Sequence, residues 1–415
     1  MKGRFTPETV TLTLYGRDTS AYGVCWYTED AGEPIVQYTC EDDVRFKNCV
    51  TLSAEVRDYG GRARNTAVLK DLEPGARYRW RVGDRCGVFS PSEVMTAIRD
   101  DGEELTFTVY SDSQDRAHFG KWLSAAWRDA KAHFPCTDLT IHGGDVVDSG
   151  TKHRLWERMM RHGRGLFSGT PVLPVTGNHD HFEEKDSVMH PYFNVTPPKD
   201  KPEPLMYYSA DAGPVHFTML CSGDYEYTER HGLKAEQIEW AKRDLASTDK
   251  PWKVVVIHTP FYSPGKYGSA ERHQSQPVSL RAQLNEIFAD AGVDLVISGH
   301  DHIFSESYPI LRDGRADHDA EYIVKRVNGR FYRLAVRPEG PVHVLPGCAG
   351  NQNRPVECEM DAEKTGYFKD IVEIPTGCVS YVAVDVKGDL LTAEFVLVNA
   401  KSGERVITRR FGIQK

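Results

Sequence analysis

Five short apolar runs in this chain each end in side chains able to bind a metal ion, and that pattern limits the fold more than any other feature. Leu105–Tyr110 leads to Asp112 and Gln114, and Leu139–His142 to Asp145 and Asp148. Val172–Val175 leads to Asn178, His179 and Asp180. Val254–Ile257 ends at His258, and Leu295–Ser298 at His300 and His302. Between the runs lie segments with helical apolar spacing: Ala117–Phe134, Arg154–Leu166, Ala235–Leu245 and Leu280–Ala291. Strand and helix alternate, which predicts an α/β domain. Such sheets bind ligands at the carboxyl ends of their strands. Asp112 to Asp145 and Asp145 to Asn178 are both 33 residues. That is about one β-α-β unit, so each ligand returns to the same edge. Glycine precedes Asp145, Asn178 and His300, where it lets backbone turn tightly and approach an ion.

The first hundred residues read differently. Val10–Tyr15 and Tyr22–Tyr27 alternate, and short runs follow at Val50–Val56, Thr66–Leu69 and Tyr78–Val82. Strands this short, with turn residues between them, predict an all-β sandwich. Leu72-Glu73-Pro74-Gly75 leading into Tyr78–Val82 resembles the late hairpin of a fibronectin type III module, with Trp26 as its core tryptophan. The polar stretch Ile98–Glu104 breaks the pattern. The expected domains are therefore 1–100, the sandwich, and 103–415, the α/β part. Tyr381–Val386 and Leu390–Val398 read as antiparallel strands in the tail.

The chain's 51 basic and 60 acidic residues give a net charge of −9, which disfavours general binding of nucleic acid or anionic membrane. No apolar run approaches the roughly 20 residues of a membrane helix. Met1–Pro7 lacks the apolar core of a signal peptide. As given, the sequence reads as cytoplasmic; a secreted chain whose leader had been removed would read the same. The nine cysteines form no Cys-x-x-Cys pair and are expected mostly as buried thiols.

A lone Asp after a strand is ordinarily a helix cap, and a lone His an ordinary surface or core residue. All five blocks in order are another matter. They resemble the calcineurin-like metallophosphoesterases, whose blocks run Asp-x-His, Gly-Asp-x-x-Asp, Gly-Asn-His-Asp/Glu, a strand-ending His and Gly-His-x-His. The branch most similar is the purple acid phosphatases, which also place a sandwich first. The resemblance implies a four-layer α/β catalytic sandwich and a dinuclear centre. Asp145 would bridge two ions, Asp112 and His302 would hold one, and Asn178, His258 and His300 the other. Oxygen and imidazole ligands without thiolate suit Mn, Fe, Zn or Co, in divalent or mixed-valence pairs. Gln114 stands where most of the superfamily has His; it either lends its amide oxygen to the first ion or holds a water. Asp148 replaces the tyrosine whose phenolate colours the purple branch, and is expected to orient a neighbour. Tyr110, Tyr262 and Tyr267 are the candidate tyrosines to replace it from other loops.

For His179 the resemblance implies a proton handler facing the substrate, oriented by Asp180. His273, eight residues before Arg281, matches a loop histidine of the purple branch and is expected as a second substrate contact. The expected activity is hydrolysis of phosphate esters, monoesters first, by in-line attack of hydroxide generated at the ions. A phosphodiesterase with the same site is the alternative. So is a metal-binding adhesion protein whose sandwich is the working part. Oligomeric state is left open.

Overall fold

The computed structural model describes residues 5–17, 19–99, 102–115, 117–118, 120–180, 191–196, 207–222, 232–269, 275–356 and 366–415. Its catalytic part is built on two sheets packed face to face. The first contains three parallel strands in chain order: Glu104–Tyr110, Leu139–His142 and Val172–Pro174. Cys378–Lys387 joins them antiparallel, followed outward by Leu390–Asn399 and Arg405–Gln414. The second sheet centres on parallel Val215–Leu220, Trp252–Ile257, Leu295–Ile297 and Val342–Pro346. Strands buried on both faces carry continuous apolar sequence, as Val254-Val255-Val256-Ile257 does. Phe107 meets Phe217 edge-on between the sheets, and Phe304 stacks on Phe395 with 4.0 Å between ring centroids. Helix Lys121–His133 covers the outer face of the first sheet. Ala235–Ala246 and Ser275–Asp290 flank the second, where Trp240, Leu245, Leu284 and Phe288 form a separate core. Helix, sheet, sheet, helix is the expected four-layer order.

The N-terminal residues form the expected sandwich. Glu8–Leu14, Tyr22–Thr28, Arg62–Leu69 and Glu55–Tyr59 make one sheet; Val50–Ser53, Pro34–Cys40, Arg77–Asp84 and Glu93–Thr96 make the other. Trp26 and Trp80 are buried between them. The sandwich is not a separate body, however. Thr13 pairs in parallel with Val172, so its first sheet runs on into the catalytic sheet as one twelve-stranded array. Arg64, almost wholly buried, donates to the carbonyls of Pro191 and Phe193, and Tyr27 Oη also donates to Pro191.

Other expectations shift. The run Val50–Val56 is two strands broken at Ala54, whose N–H turns to the Pro34 carbonyl. Arg154–Leu166 is two helices, His153–His162 and Arg164–Gly169, parted at Gly163. Of the eight described cysteines only Cys25, Cys221 and Cys348 are buried, and all eight are free thiols. The expectation of mostly buried thiols therefore fails, because strand ends and turns carry Cys40, Cys86 and Cys136 outward.

Candidate metal centre

The polar strand ends converge from both sheets, not from the edge of one. Asp112, Asp145 and the Asn178–Asp180 turn follow strands of the first sheet, while His258, His300 and His302 follow strands of the second. Backbone hydrogen bonds lace the loops together. Asp112 N donates to Gly144 O at 3.0 Å, Gln114 N to Asp145 O at 3.1 Å and Gly299 N to His258 O at 2.8 Å. Asp112, Asp145, His300 and His302 all have positive φ, between 53° and 76°. Non-glycine residues held there cost of order 1–3 kcal/mol each, and such strain gathers at functional sites. Close approach explains two glycines. A Cβ on Gly177 would lie 2.2 Å from Asp145 Oδ1, and one on Gly144 would lie 2.5 Å from His258 Nδ1.

Two groups of ligand atoms form, Asp145–His258–His300 and Asp112–Asp145–His302, all buried. Asp145 belongs to both. His258 Nε2 is 3.3 Å from Asp145 Oδ2, and His302 Nε2 is 3.2 Å from Asp112 Oδ1. The Nδ1–H of His258 donates to Gly143 O at 2.7 Å, and that of His302 to Gln352 O. Each bond fixes the tautomer that leaves Nε2 as the ligating nitrogen. Asp112 also accepts from His300 N at 2.9 Å, and Asp145 Oδ1 from His179 N at 2.8 Å.

Five buried atoms in this cluster make no hydrogen bond: Gln114 Oε1, Asn178 Oδ1, His258 Nε2 and both ring nitrogens of His300. Orphaned buried polar groups are costly, so a site carrying several calls for a partner. All can donate a lone pair to a cation. Residues and donor chemistry thus fit two cations sharing Asp145.

The electrostatics of the centre agree. Burial opposes charge on Asp145, but the imidazoles of His258, His179 and His300 outweigh it and hold the carboxyl below its usual range. Burial likewise opposes charge on His258, yet Asp145 and Asp112 push its pKa up to about 9. His300, buried and facing charged His258, is driven well below the ordinary imidazole value. His302, where burial is outweighed by Cys348 and Asp112, is like His258 raised above the ordinary imidazole value.

Residues 105–304 match the calcineurin-like phosphoesterase family, and residues 7–97 match the N-terminal domain of the purple acid phosphatases. The chain therefore carries a calcineurin-like phosphoesterase domain behind a purple acid phosphatase N-terminal domain. That pair of domains is the order found in the purple acid phosphatases, which are metal-dependent phosphatases, and two buried groups of candidate metal ligands lie in it. The chain is 27% identical to purple acid phosphatase 21 of Arabidopsis thaliana over 84% of this chain and 72% of that protein. It is 26% identical to acid phosphatase type 7 of Mus musculus, over 83% and 78%. The fold is that of a purple acid phosphatase from yellow lupin seeds: TM-score 0.76, 17% identity, covering 99% of this chain and 74% of that one.

Within this calcineurin-like centre some expected residues take other positions. Asp180 does not orient the His179 ring by the contacts it makes. Its buried carboxylate accepts from the backbone N–H groups of Val146, Val147 and Gly177, each at 3.1 Å, and so pins the Asp145 loop to the Asn178 turn. The His179 ring is held instead through Nδ1–H to the Asp148 carbonyl at 3.1 Å. His273 lies outside the described residues. Asp148 is reached by Gln352 Nε2 at 3.5 Å. Of the three tyrosines, Tyr110 is buried beside Tyr381, and Tyr262 bonds Gly314 and Asn285. Tyr267 packs on His300, with 3.9 Å between ring centroids.

The reading by motif missed the segment after strand Val342–Pro346. There Cys348 Sγ donates to Asp112 O, Gln352 holds His302, and Arg354 Nη1 donates to His300 O at 2.7 Å. The signal was a sixth apolar strand followed by Gly347-Cys348-Ala349-Gly350, the same strand-then-glycine grammar as the other blocks.

Proposed function

We propose that this protein hydrolyses phosphate monoesters, with Asp112, Asp145, Asn178, His258, His300 and His302 holding the two ions and His179 handling the proton. The observation that supports the ligand set is the pair of buried groups that share Asp145. When bound, the ions supply Lewis acidity and an activated water near neutral pH. Mn, Fe, Zn and Co all suit the nitrogen and oxygen donors.

The chain's own residues do the rest. Asp145 stands between the two halves of the centre, with its Oδ1 anchored to His179 N. The same peptide link thus couples the bridging carboxylate to the proton handler. His179 is half-buried, and its Nδ1–H is committed to Asp148 O. Nε2 is therefore the nitrogen free to hold or release a proton toward a phosphoryl or leaving-group oxygen. Gln114 is oriented by Asp145, with its unpartnered Oε1 available to the first ion or to a water. Asp180 keeps the loops in register by its three amide bonds. No described helix is long and apolar enough to cross a membrane.

The test is turnover of p-nitrophenyl phosphate against bis-p-nitrophenyl phosphate by protein supplied with Mn²⁺ or Zn²⁺. Faster cleavage of the monoester is expected. Cleavage of the diester alone favours the phosphodiesterase reading, and cleavage of neither by metal-loaded protein rejects both.

A further inference from the structure

Beside His300 the structure holds a cation from outside the family blocks, the Arg354 guanidinium. Asp301, fully buried between the two ligand histidines, is its pin. Its carboxylate accepts from Ser263 Oγ and from Tyr267 N, the latter at 3.2 Å, and lies 3.8 Å from Arg354 Nη1. The same Nη1 donates to the His300 carbonyl at 2.7 Å. The Arg354 guanidinium lies over the Tyr267 ring, 5.0 Å from its centroid, and that ring packs on His300. Ring, carboxylate and carbonyl fix the guanidinium against the side of the centre assigned to the second ion. Its side chain keeps 24% exposure, and among the described residues Nη2 and Nε have no hydrogen-bond partner.

We infer that Arg354 is a specificity-determining residue that contacts a phosphoryl oxygen of the substrate and selects the doubly charged monoester over the singly charged diester. A guanidinium held in one plane offers paired N–H donors, the geometry that suits phosphate oxygens. A monoester has one more charged oxygen than a diester to meet them. The ions serve both substrates, so the extra cation acts on the difference between them. Tyr267 sets the plane of the guanidinium by cation–π contact. Asp301 faces Nη1, the nitrogen already bonded to the His300 carbonyl, and leaves Nη2 and Nε for a ligand. The inference rests on the monoester reading above.

The test uses the full chain loaded with metal and the variants Arg354→Ala and Arg354→Lys. Four quantities are measured: metal content, kcat and KM for both p-nitrophenyl substrates, and calorimetric affinity for inorganic phosphate. In Arg354→Ala, KM for the monoester and Kd for phosphate should rise about tenfold or more, the usual worth of a hydrogen bond to a charged group. The metal content should hold, the diester parameters should change much less than those of the monoester, and lysine should recover part of the loss. Equal losses on both substrates, or lost metal that lysine does not recover, would make Arg354 a prop for His300 and overturn the inference. So would an unchanged phosphate affinity. If the unaltered protein cleaves only diesters, the monoester reading fails, and the phosphate arm still decides whether Arg354 binds the anion.

Discussion

Gln114 donates through Nε2 to Asp145 Oδ2 at 3.1 Å and leaves its own Oε1 buried without a partner. The amide is therefore fixed by the bridging carboxylate, with Nε2 also 3.4 Å from His302 Nε2, and it keeps an unused acceptor. Gln114→Leu keeps most of the volume and removes both functions. Affinity for one of the two ions should fall by about 10–100-fold, the range seen when groups supporting a metal ligand are lost. Gln114→His should restore it, since imidazole is the superfamily's group there. Metal titration of the two variants checks this; two ions bound normally by the leucine variant would contradict it.

His179→Ala should cut turnover by about 10²–10⁴, the usual contribution of a general acid or base. Both ions should stay, because His179 reaches Asp145 through its backbone N–H, which alanine retains. Steady-state kinetics with metal analysis separate the two effects. Loss of an ion would make the imidazole itself a ligand.

The metal-free protein should bind metal with release of protons. His258 has its pKa raised from 6.5 to about 9 by Asp145 and Asp112 against the effect of burial. Its protonated form therefore stabilises the folded chain fully below about pH 6.5, and that contribution is lost as pH rises through about 9. Metal must displace the proton, so apparent affinity should increase with pH up to about 9 and then level. Calorimetry of Zn²⁺ binding at pH 7 in buffers of different ionisation enthalpy measures the protons released. Identical heats in all buffers would contradict the assignment.

Arg64→Ala should destabilise the whole protein, not the sandwich alone. Pro191 O keeps the Tyr27 hydroxyl, at 2.9 Å, but Phe193 O loses its 3.1 Å donor in a buried place. An unsatisfied buried carbonyl costs about 1–3 kcal/mol. The twelve-stranded sheet crosses the same boundary at Thr13 and Val172, so a single cooperative thermal transition at lower temperature is expected. Two separate transitions, with only the first displaced, would show that the sandwich unfolds by itself.

The ligand ends were legible because each followed an apolar run long enough to be a strand and each carried glycine or a polar cluster at the turn. Asp145 and His258 could be placed without knowing which sheet held them. That they lie on different sheets was not legible. Periodicity describes a strand's faces, not its partners, and the pairings of Val172 with Thr13 and Leu295 with Val342 join residues distant in sequence. Asp180 illustrates a second limit. Its residue type suits either orienting an imidazole or capping backbone amides, and only the loop geometry, with three N–H groups aimed at it, distinguishes them. Gln352 acts through its backbone carbonyl, which leaves no trace in residue type. Strands Phe304–Ser307 and Tyr322–Val327 went unread because the first carries a single apolar residue and the second breaks its apolar run with Lys325 and Arg326.

The most direct measurement of the account is metal content and phosphatase activity of Asp145→Asn, side by side. Asp145 belongs to both buried ligand groups, and an amide of the same shape cannot supply its negative charge. The account predicts loss of metal from both positions together with loss of turnover of p-nitrophenyl phosphate. Two ions per chain with normal turnover would remove Asp145 from the bridge and contradict the shared centre.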